Sequence, residues 1–500
     1  MDLPFLGGEN MKYLPVNEEV YFKPEVYQSD AFGLIKVLPD GKIFVNGGCD
    51  GKVRVNGEVI YNYELVGPKP VLGGDTYGVA AWLEDKLFFG GWVLAPVIYD
   101  RETNTISRQE KYAHVHSFNP KTYEINLIMK DSIHNKEEWA GEVSDLIADD
   151  MNNLLWICRG DGHKHLGLYT YDGKTVNLFN DYPALKGTIY LDNLIAIAQN
   201  TKYEHVQDNI LLVNLRDFSV KKILFSSFPT RLTSDVDNEN IMWSSWCGSI
   251  FTLANRVCFG TENSLISGDP VGAYGLSPEN IAYMLFVNSN VQYVLGWRCK
   301  PCYTGLGVLV PLNPFDNNTL TLRPTNPAIL LLIKENMAKI LMTAPFISAV
   351  DCDGSNIYIA LSHAPYEAWK YNPYRTSRPR IIKLPIEKVL SNSPPLHICL
   401  WSGNYDPMGY KKWDWGPVAN GVRGWIGGIP LMGYRKTEII VKLRETNTLY
   451  VSEYDFNAHY GITKYYLNEG RNTLDLSSFK GFVALKFEKA TELNAYLSAE

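Results

Sequence analysis

Two histidine pairs stand out among the side chains able to do chemistry: His114 and His116 in "HVHSFNP", and His163 and His165 in "GDGHKHLG". A spacing of two puts both imidazoles on one face of an extended strand, as a metal site requires. Alternation does the same for any strand that carries two histidines. A zinc, manganese or iron centre needs at least three ligands converging to about 2.0–2.3 Å from one point. His205 in "KYEHVQD" and His363 in "ALSHAPY" therefore join His163 and His165 as candidate ligands, provided that the fold brings them to a common rim.

Cys299 and Cys302, in "RCKPC", could be half of a four-cysteine zinc set, a redox pair, or two thiols around a proline turn. No second C-x-x-C occurs to complete a zinc set, and no helix follows to acidify a thioredoxin-type thiol. A disulfide or a pair of free thiols is the expectation. The acidic neighbours Glu137 and Glu138, and Asp149 and Asp150, would serve glycoside hydrolysis only if two carboxylates faced each other across about 5–10 Å; otherwise they are solvated loop acids. The glycines of "GDGHKH" precede no helix and so form no phosphate cradle. No Gly-x-Ser-x-Gly, His-Glu-x-x-His or complete Gly-x-x-x-x-Gly-Lys-Ser/Thr motif occurs. Trp401, Tyr405, Tyr410, Trp413, Trp415 and Trp425 crowd one tract. Their faces can stack on sugar rings or anchor an interface between domains or subunits.

The elements that must position these residues are legible at 143–179. Four short alternating runs, "SDLIAD", "LLWICRG", "LGLYTYD" and "TVNLF", are separated by turn residues at "DMNN", "DGHKH" and "GK". That is one antiparallel four-stranded sheet, the size of a β-propeller blade. The same template fits a first blade from "AFGLIKVLPD", a second from "YGVAAWLED" and a fourth from "GTIYLD". A fifth, at roughly 231–262, fits poorly. The sixth is expected to run "NIAYMLFVN", "VQYVLGWRC", "LGVLVPLN", "TLTLRP", and the seventh "FISAVDCDG", "SNIYIALSH" with an outer pair ending near "HICLW". The expectation is an all-β chain: an N-terminal extension (1–28), a seven-bladed β-propeller (29–399; six blades as the fallback), and at 400–500 an aromatic-rich segment with a small C-terminal β-sandwich docked on the propeller. On this template His163, His165, His205, His363 and the two cysteines share one rim. His163 or His165 can approach His205, while His363 stays apart on a nearly opposite blade and no closed metal shell forms. The "HVH" pair, on a third strand, reads as a solvated or interblade feature.

The wording "SDLIADDMNNLLWICRGDGHKHLGLYTYDGKT" resembles the widespread propeller repeat D-x-x-G-N-L-W-V-x-T-x-x-G-L-Y-x-Y-D, with Asn152 and Asn153 where Gly-Asn is usual. The chain as a whole resembles a family of uncharacterised proteins from thermophilic archaea with a domain of unknown function. The resemblance implies a propeller and brings no catalytic residues.

Composition narrows the function classes. Hydrophobic residues at 46% and charged residues at 20% fit a soluble globular chain. With 47 basic and 54 acidic side chains the net charge is -7, and no Lys/Arg run could track a phosphate backbone, so a nucleic-acid partner is not expected. Nor is membrane insertion: no apolar stretch approaches the ~20 residues of a span, and the start lacks a signal-type pattern, which points to the cytoplasm. Eight cysteines are too sparse for a secreted disulfide scaffold. Five glutamines against 31 tyrosines fit a thermophile. The expected function is a non-catalytic binding or assembly scaffold, with no required cofactor, that forms a homo-oligomer or holds a protein partner. The alternative is a metal-dependent enzyme acting on a carbohydrate or other small molecule at the loop rim, with rim histidines as ligands and a nearby carboxylate as base.

Overall fold

The structure is a computed structural model that describes residues 19–22, 32–47, 51–74, 79–100, 102, 105–108, 110–135, 138–199, 207–224, 249–253, 256–261, 264–271, 281–284, 292–296, 299–315, 327–334, 337–362, 380–391, 393–407, 424–455 and 459–500. Its secondary structure is strand, apart from the single short helix Ile386–Ser391 among the described residues.

The third sheet shows how local sequence builds the repeat. Its strands Val143–Asp149, Leu154–Arg159, Gly167–Tyr171 and Val176–Asn180 pair in chain order. Burial falls from the first strand, buried on both faces, to the fourth, which has no buried residue. The first hairpin closes on Asp149. Its carboxylate accepts the Asn152 backbone N–H (3.2 Å), the Asn152 side-chain amide (2.9 Å) and the Trp156 indole N–H (3.3 Å). Asn153 takes a φ of 51°, a left-handed conformation that asparagine tolerates better than other side chains bearing a Cβ.

Six further sheets follow the same plan. The first holds Phe32–Val37, Ile43–Gly47, Val53–Val55 and Glu58–Tyr61, and the second Ala80–Leu83, Lys86–Leu94, Lys111–Phe118 and Ile125–Asp131, with Leu72–Gly74 also paired on Lys86–Leu94. The fourth holds Ala184–Tyr190, Asn193–Gln199, Gln207–Asn214 and Val220–Leu224, and the fifth Ile250–Leu253, Arg256–Thr261, Ser264–Gly268 and Ile281–Met284. In the sixth, Gln292–Leu295 and Cys302–Thr304 lie end to end along Gly307–Phe315, followed by Ala328–Lys334 and Met337–Ala344. The seventh holds Phe346–Cys352, Asn356–Ser362, Arg380–Pro385 and, last, Glu19–Phe22. The first, third, fourth and seventh sheets carry a register shift near the start of the inner strand. Such a bulge raises local twist, which a tightly wound sheet needs. Ser144 and Ser348 sit at two of these bulges, where their hydroxyls donate to neighbouring carbonyls.

Three assignments differ from the local pattern. "IAYM" is the outermost strand of the fifth sheet and does not open the sixth, because alternation looks the same in inner and outer strands and only pairing tells them apart. The fourth strand of the seventh sheet comes from the N-terminal extension, with Glu19 opposite Lys383 and Val20 opposite Ile382. "HICLW" lies instead in Leu396–Tyr405, which pairs with Thr491–Ala499.

Each sheet shares a buried apolar cluster with the next. Examples are Phe44 with Phe89 (first and second), Leu155 with Val143 and Phe88 (second and third), Trp156 with Ala196 (third and fourth), and Ile195 with Phe259 (fourth and fifth). The sixth packs on the fifth and the seventh on the sixth. The seventh also packs on the first, through Ala349, Tyr358 and Ile381 against Phe32, Ile35 and Val45. Across that last seam Asp351 accepts from Lys36 Nζ (3.0 Å) and from the Val37 N–H (2.7 Å).

The C-terminal residues form two four-stranded sheets. One is ordered 396–405, 491–499, 437–443, 470–475, and the other 426–430, 482–487, 447–454, 459–467. A single buried cluster runs from Phe251, Tyr293 and Ile340 of the fifth and sixth sheets to Trp425, Ile439 and Phe487 between these two. Tyr405 pins the junction: its hydroxyl accepts the Phe487 N–H (3.1 Å) and donates to the Gly424 carbonyl (2.5 Å).

Candidate functional site

The loop carrying His163 and His165 is laced to the segment that leads into the third sheet. Gly141 N–H donates to Lys164 O (2.8 Å), Glu142 N–H to Asp161 O (3.0 Å) and His163 N–H to Trp139 O (3.0 Å). The two chains touch at Gly162, where a Cβ would lie 2.6 Å from Gly141 Cα, so only glycine fits. His163 Nδ1 accepts the Trp139 backbone N–H at 3.2 Å, and its ring stands edge-on to the Trp139 indole at 4.2 Å. One ring nitrogen is thus used and, in the neutral tautomer, the other carries the proton. His165 Nδ1 lies 2.8 Å from Asp131 Oδ2, which also accepts from Arg159 at 2.7 Å. Burial opposes ionisation of Asp131, but hydrogen bonds from Arg159 and His165 outweigh it and hold the carboxyl below its ordinary range. Both histidines serve as struts of this loop. His205, His363, Trp413 and Trp415 lie outside the described residues. Among the described residues no group of three or more His, Cys, Asp and Glu could hold a metal ion.

Trp139 has a second neighbour. Lys111 Nζ sits 4.4 Å from its ring and 4.8 Å from that of Trp92, and pairs with Glu142. Lys111 and Glu142 are both buried. Desolvation makes such a pair costly unless additional contacts satisfy it, and the two indole faces supply them.

His114 and His116 are not solvated. Both are fully buried at the seam of the first and second sheets, with ring centroids 5.0 Å apart. Tyr61 OH lies 2.8 Å from His116 Nε2, Phe89 stacks on His116 at 5.1 Å, and Tyr63 packs against His114 at 4.9 Å. Burial, and then the neighbouring His114, push the His116 pKa well below the usual imidazole value.

The least anticipated feature is Lys300. "CKPC" does not end a second strand on the rim; it interrupts the innermost strand of the sixth sheet, between Gln292–Leu295 and Cys302–Thr304. From this excursion Lys300 Nζ donates to Ala80 O (3.1 Å), Asp145 Oδ1 (3.1 Å) and Leu146 O (2.5 Å), all on inner strands of the second and third sheets. Asp145 also accepts the N–H groups of Leu146 (2.9 Å) and of Gly187 in the fourth sheet (3.0 Å). The one signal of this in the sequence is the consecutive polar pair Ser144 and Asp145 between Val143 and the apolar run Leu146–Ala148. Cys299 and Cys302 are both free thiols, with no disulfide between them. Cys299 is buried beside the Lys300 carbonyl, and Cys302 Sγ lies 2.9 Å from Cys352 Sγ of the seventh sheet. Of the aromatic tract, Trp425 and Tyr405 are buried, and Trp401 packs against the same cluster with its ring 5.4 Å from that of Tyr405.

A succession of antiparallel sheets, each packed face to face on the next, defines an all-β, propeller-like protein. A family model described as "Uncharacterized protein conserved in archaea (DUF2139)" matches residues 50–367, and the chain belongs to that family. No curated protein matches it. Similar solved structures include a luciferin-regenerating enzyme (12% identity, 58% of this chain and 90% of the other, TM-score 0.33). Others are Sqt1 from Saccharomyces cerevisiae (8%, 74% and 99%, 0.37) and a glycoside hydrolase family 43 arabinoxylan arabinofuranohydrolase from Bacillus subtilis (10%, 84% and 94%, 0.27). At these scores the likenesses carry no functional argument. No helix among the described residues is long and apolar enough to cross a membrane.

Proposed function

We propose that the chain is a non-catalytic binding or assembly scaffold that self-associates in the cytoplasm: a closed seven-bladed β-propeller with the C-terminal sandwich fixed to it as a cover. The observation that carries this reading is the Lys300 bridge. Propellers present ligands with a central channel, and here the sixth sheet sends a lysine to inner strands of the second and third sheets, each three places away round the ring, filling that space with the protein's own charge pair. The packing of the seventh sheet on the first supports closure of the ring.

The surface offered for association is the edge strand His459–Leu467, which among the described residues pairs on one side only. Tyr460 (59% exposed), Ile462 (38%) and Tyr466 (85%) stand on it. An edge strand with exposed tyrosines is suited to pairing with a second copy. Sedimentation velocity over a range of concentrations tests the reading, with metal analysis beside it. A multimer dispersed by Ile462→Lys with Tyr466→Lys is expected. A monomer at every concentration that carries stoichiometric metal would overturn the scaffold in favour of the metal-dependent enzyme.

A further inference from the structure

Cys302 opens a short strand at the inner edge of the sixth sheet, and Cys352 closes the innermost strand of the seventh. Fifty positions apart in the chain, their sulfurs lie 2.9 Å from each other, with the Cys302 thiol donating to Cys352 Sγ. The two sites differ in access: Cys302 is buried at 4% exposure, whereas Cys352 is partly open to solvent. The Lys36–Asp351 ion pair of the neighbouring seam stands next to them, and the Lys36 ammonium is close enough to act electrostatically on both sulfurs. One accessible sulfur backed by one covered sulfur is the arrangement of an attacking thiol and a resolving thiol.

We propose that Cys302 and Cys352 form a redox-active dithiol that closes to a disulfide joining the sixth and seventh sheets. The oxidant is a low-molecular-weight disulfide. The Cys352 thiolate attacks one of its sulfurs, forming a mixed disulfide and releasing one half as a thiolate, which takes up the proton lost from Cys352. Cys302 then gives up its proton and attacks Cys352 Sγ; the protein disulfide forms, and the second half leaves as a thiol. Two protein thiols are oxidised and one small disulfide is reduced to two thiols. The order of attack follows from acidity as well as access. The hydrogen bond from Cys302 chiefly, with help from the Gly354 backbone and against burial and the Asp351 carboxylate, draws the Cys352 thiol below its ordinary pKa, while that bond and burial push Cys302 up. The proposal is independent of the scaffold reading, since it concerns a seam and not a binding surface.

The test uses the full chain, incubated with oxidised glutathione or with dithiothreitol, alkylated under denaturing conditions and mapped by mass spectrometry without reduction. A single cross-link between Cys302 and Cys352 is expected, with Cys299 alkylated, and the oxidised form should melt at a higher temperature than the reduced one. Cys302→Ser should stop at a glutathione adduct on Cys352; Cys302→Ala serves the same purpose if the serine variant folds poorly. Cys352→Ser should form neither product, and its melting should no longer respond to the oxidant. A Cys299–Cys302 cross-link, both thiols still free at high oxidant, or an equal oxidant-dependent shift in Cys352→Ser would overturn the proposal.

Discussion

At the scale of single residues, the polar groups that look most like chemistry are those the core has absorbed. His116 is buried neutral, so its folded pKa lies well below its value of ~6.5 in the unfolded chain. Between those two values the unfolded state binds the extra proton and stability rises with pH. The contribution is therefore complete above pH ~6.5 and is lost progressively as pH falls below it. Urea midpoints at pH 7.5 and 5.5 should show a marked acid loss in the wild type and a smaller one in His116→Phe. At pH 7.5 the substitution itself should cost about 1–2 kcal/mol, because Tyr61 OH loses its imidazole partner and keeps only the Leu65 N–H. An unchanged acid slope in the variant would show that His116 does not titrate on unfolding. For Lys300 the relevant magnitude is that of breaking a buried ion pair, about 3–5 kcal/mol, lowered by the partial exposure of the lysine. Asp145→Ala should cost more than Lys300→Met, since Asp145 also accepts backbone N–H groups of the third and fourth sheets. The double variant, measured by urea unfolding, should lose less than the two single losses combined.

At the scale of elements, Glu19–Phe22 matters beyond its length. It covers the outer edge of Arg380–Pro385, whose backbone groups would otherwise be left without partners at the rim of the seventh sheet. Removal of residues 1–22 should lower the melting temperature and raise light scattering on heating; an unchanged melt would assign the strand no part in holding the seventh sheet. In the third sheet the inner-strand bulge falls at Ser144, and the first turn is written locally as Asp-x-x-Asn-Asn. The Asp149 turn closes within its own five residues, and so the third sheet could be read strand by strand from residues 143–179, although Ser144 and Asn152 also donate to the Ala184 and Leu215 carbonyls.

At the scale of the whole molecule, the shared cluster between the sixth sheet and the C-terminal sheets makes the latter part of one core. A chain ending at residue 394 would expose Tyr293, Leu312, Ile329 and Ile340, which line that cluster. At ~25 cal/mol per Å² of apolar surface this costs several kcal/mol, so the shortened chain should be poorly soluble or melt well below the full one. A soluble product with the same melting temperature would show the C-terminal sheets to be an independent module.

The amino-acid order by itself determined the strand type, the turn positions and the repeat unit, because period-two alternation and turn residues act over a few positions. It determined the histidine spacing too, but not whether solvent reaches His114. Only the tertiary structure decided which strands pair across hundreds of residues, which cysteine Cys302 meets, and that Lys300 lies against Ala80 and Asp145. Those outcomes depend on how one sheet packs on another, and contacts between residues far apart in the chain leave no periodic trace in either segment.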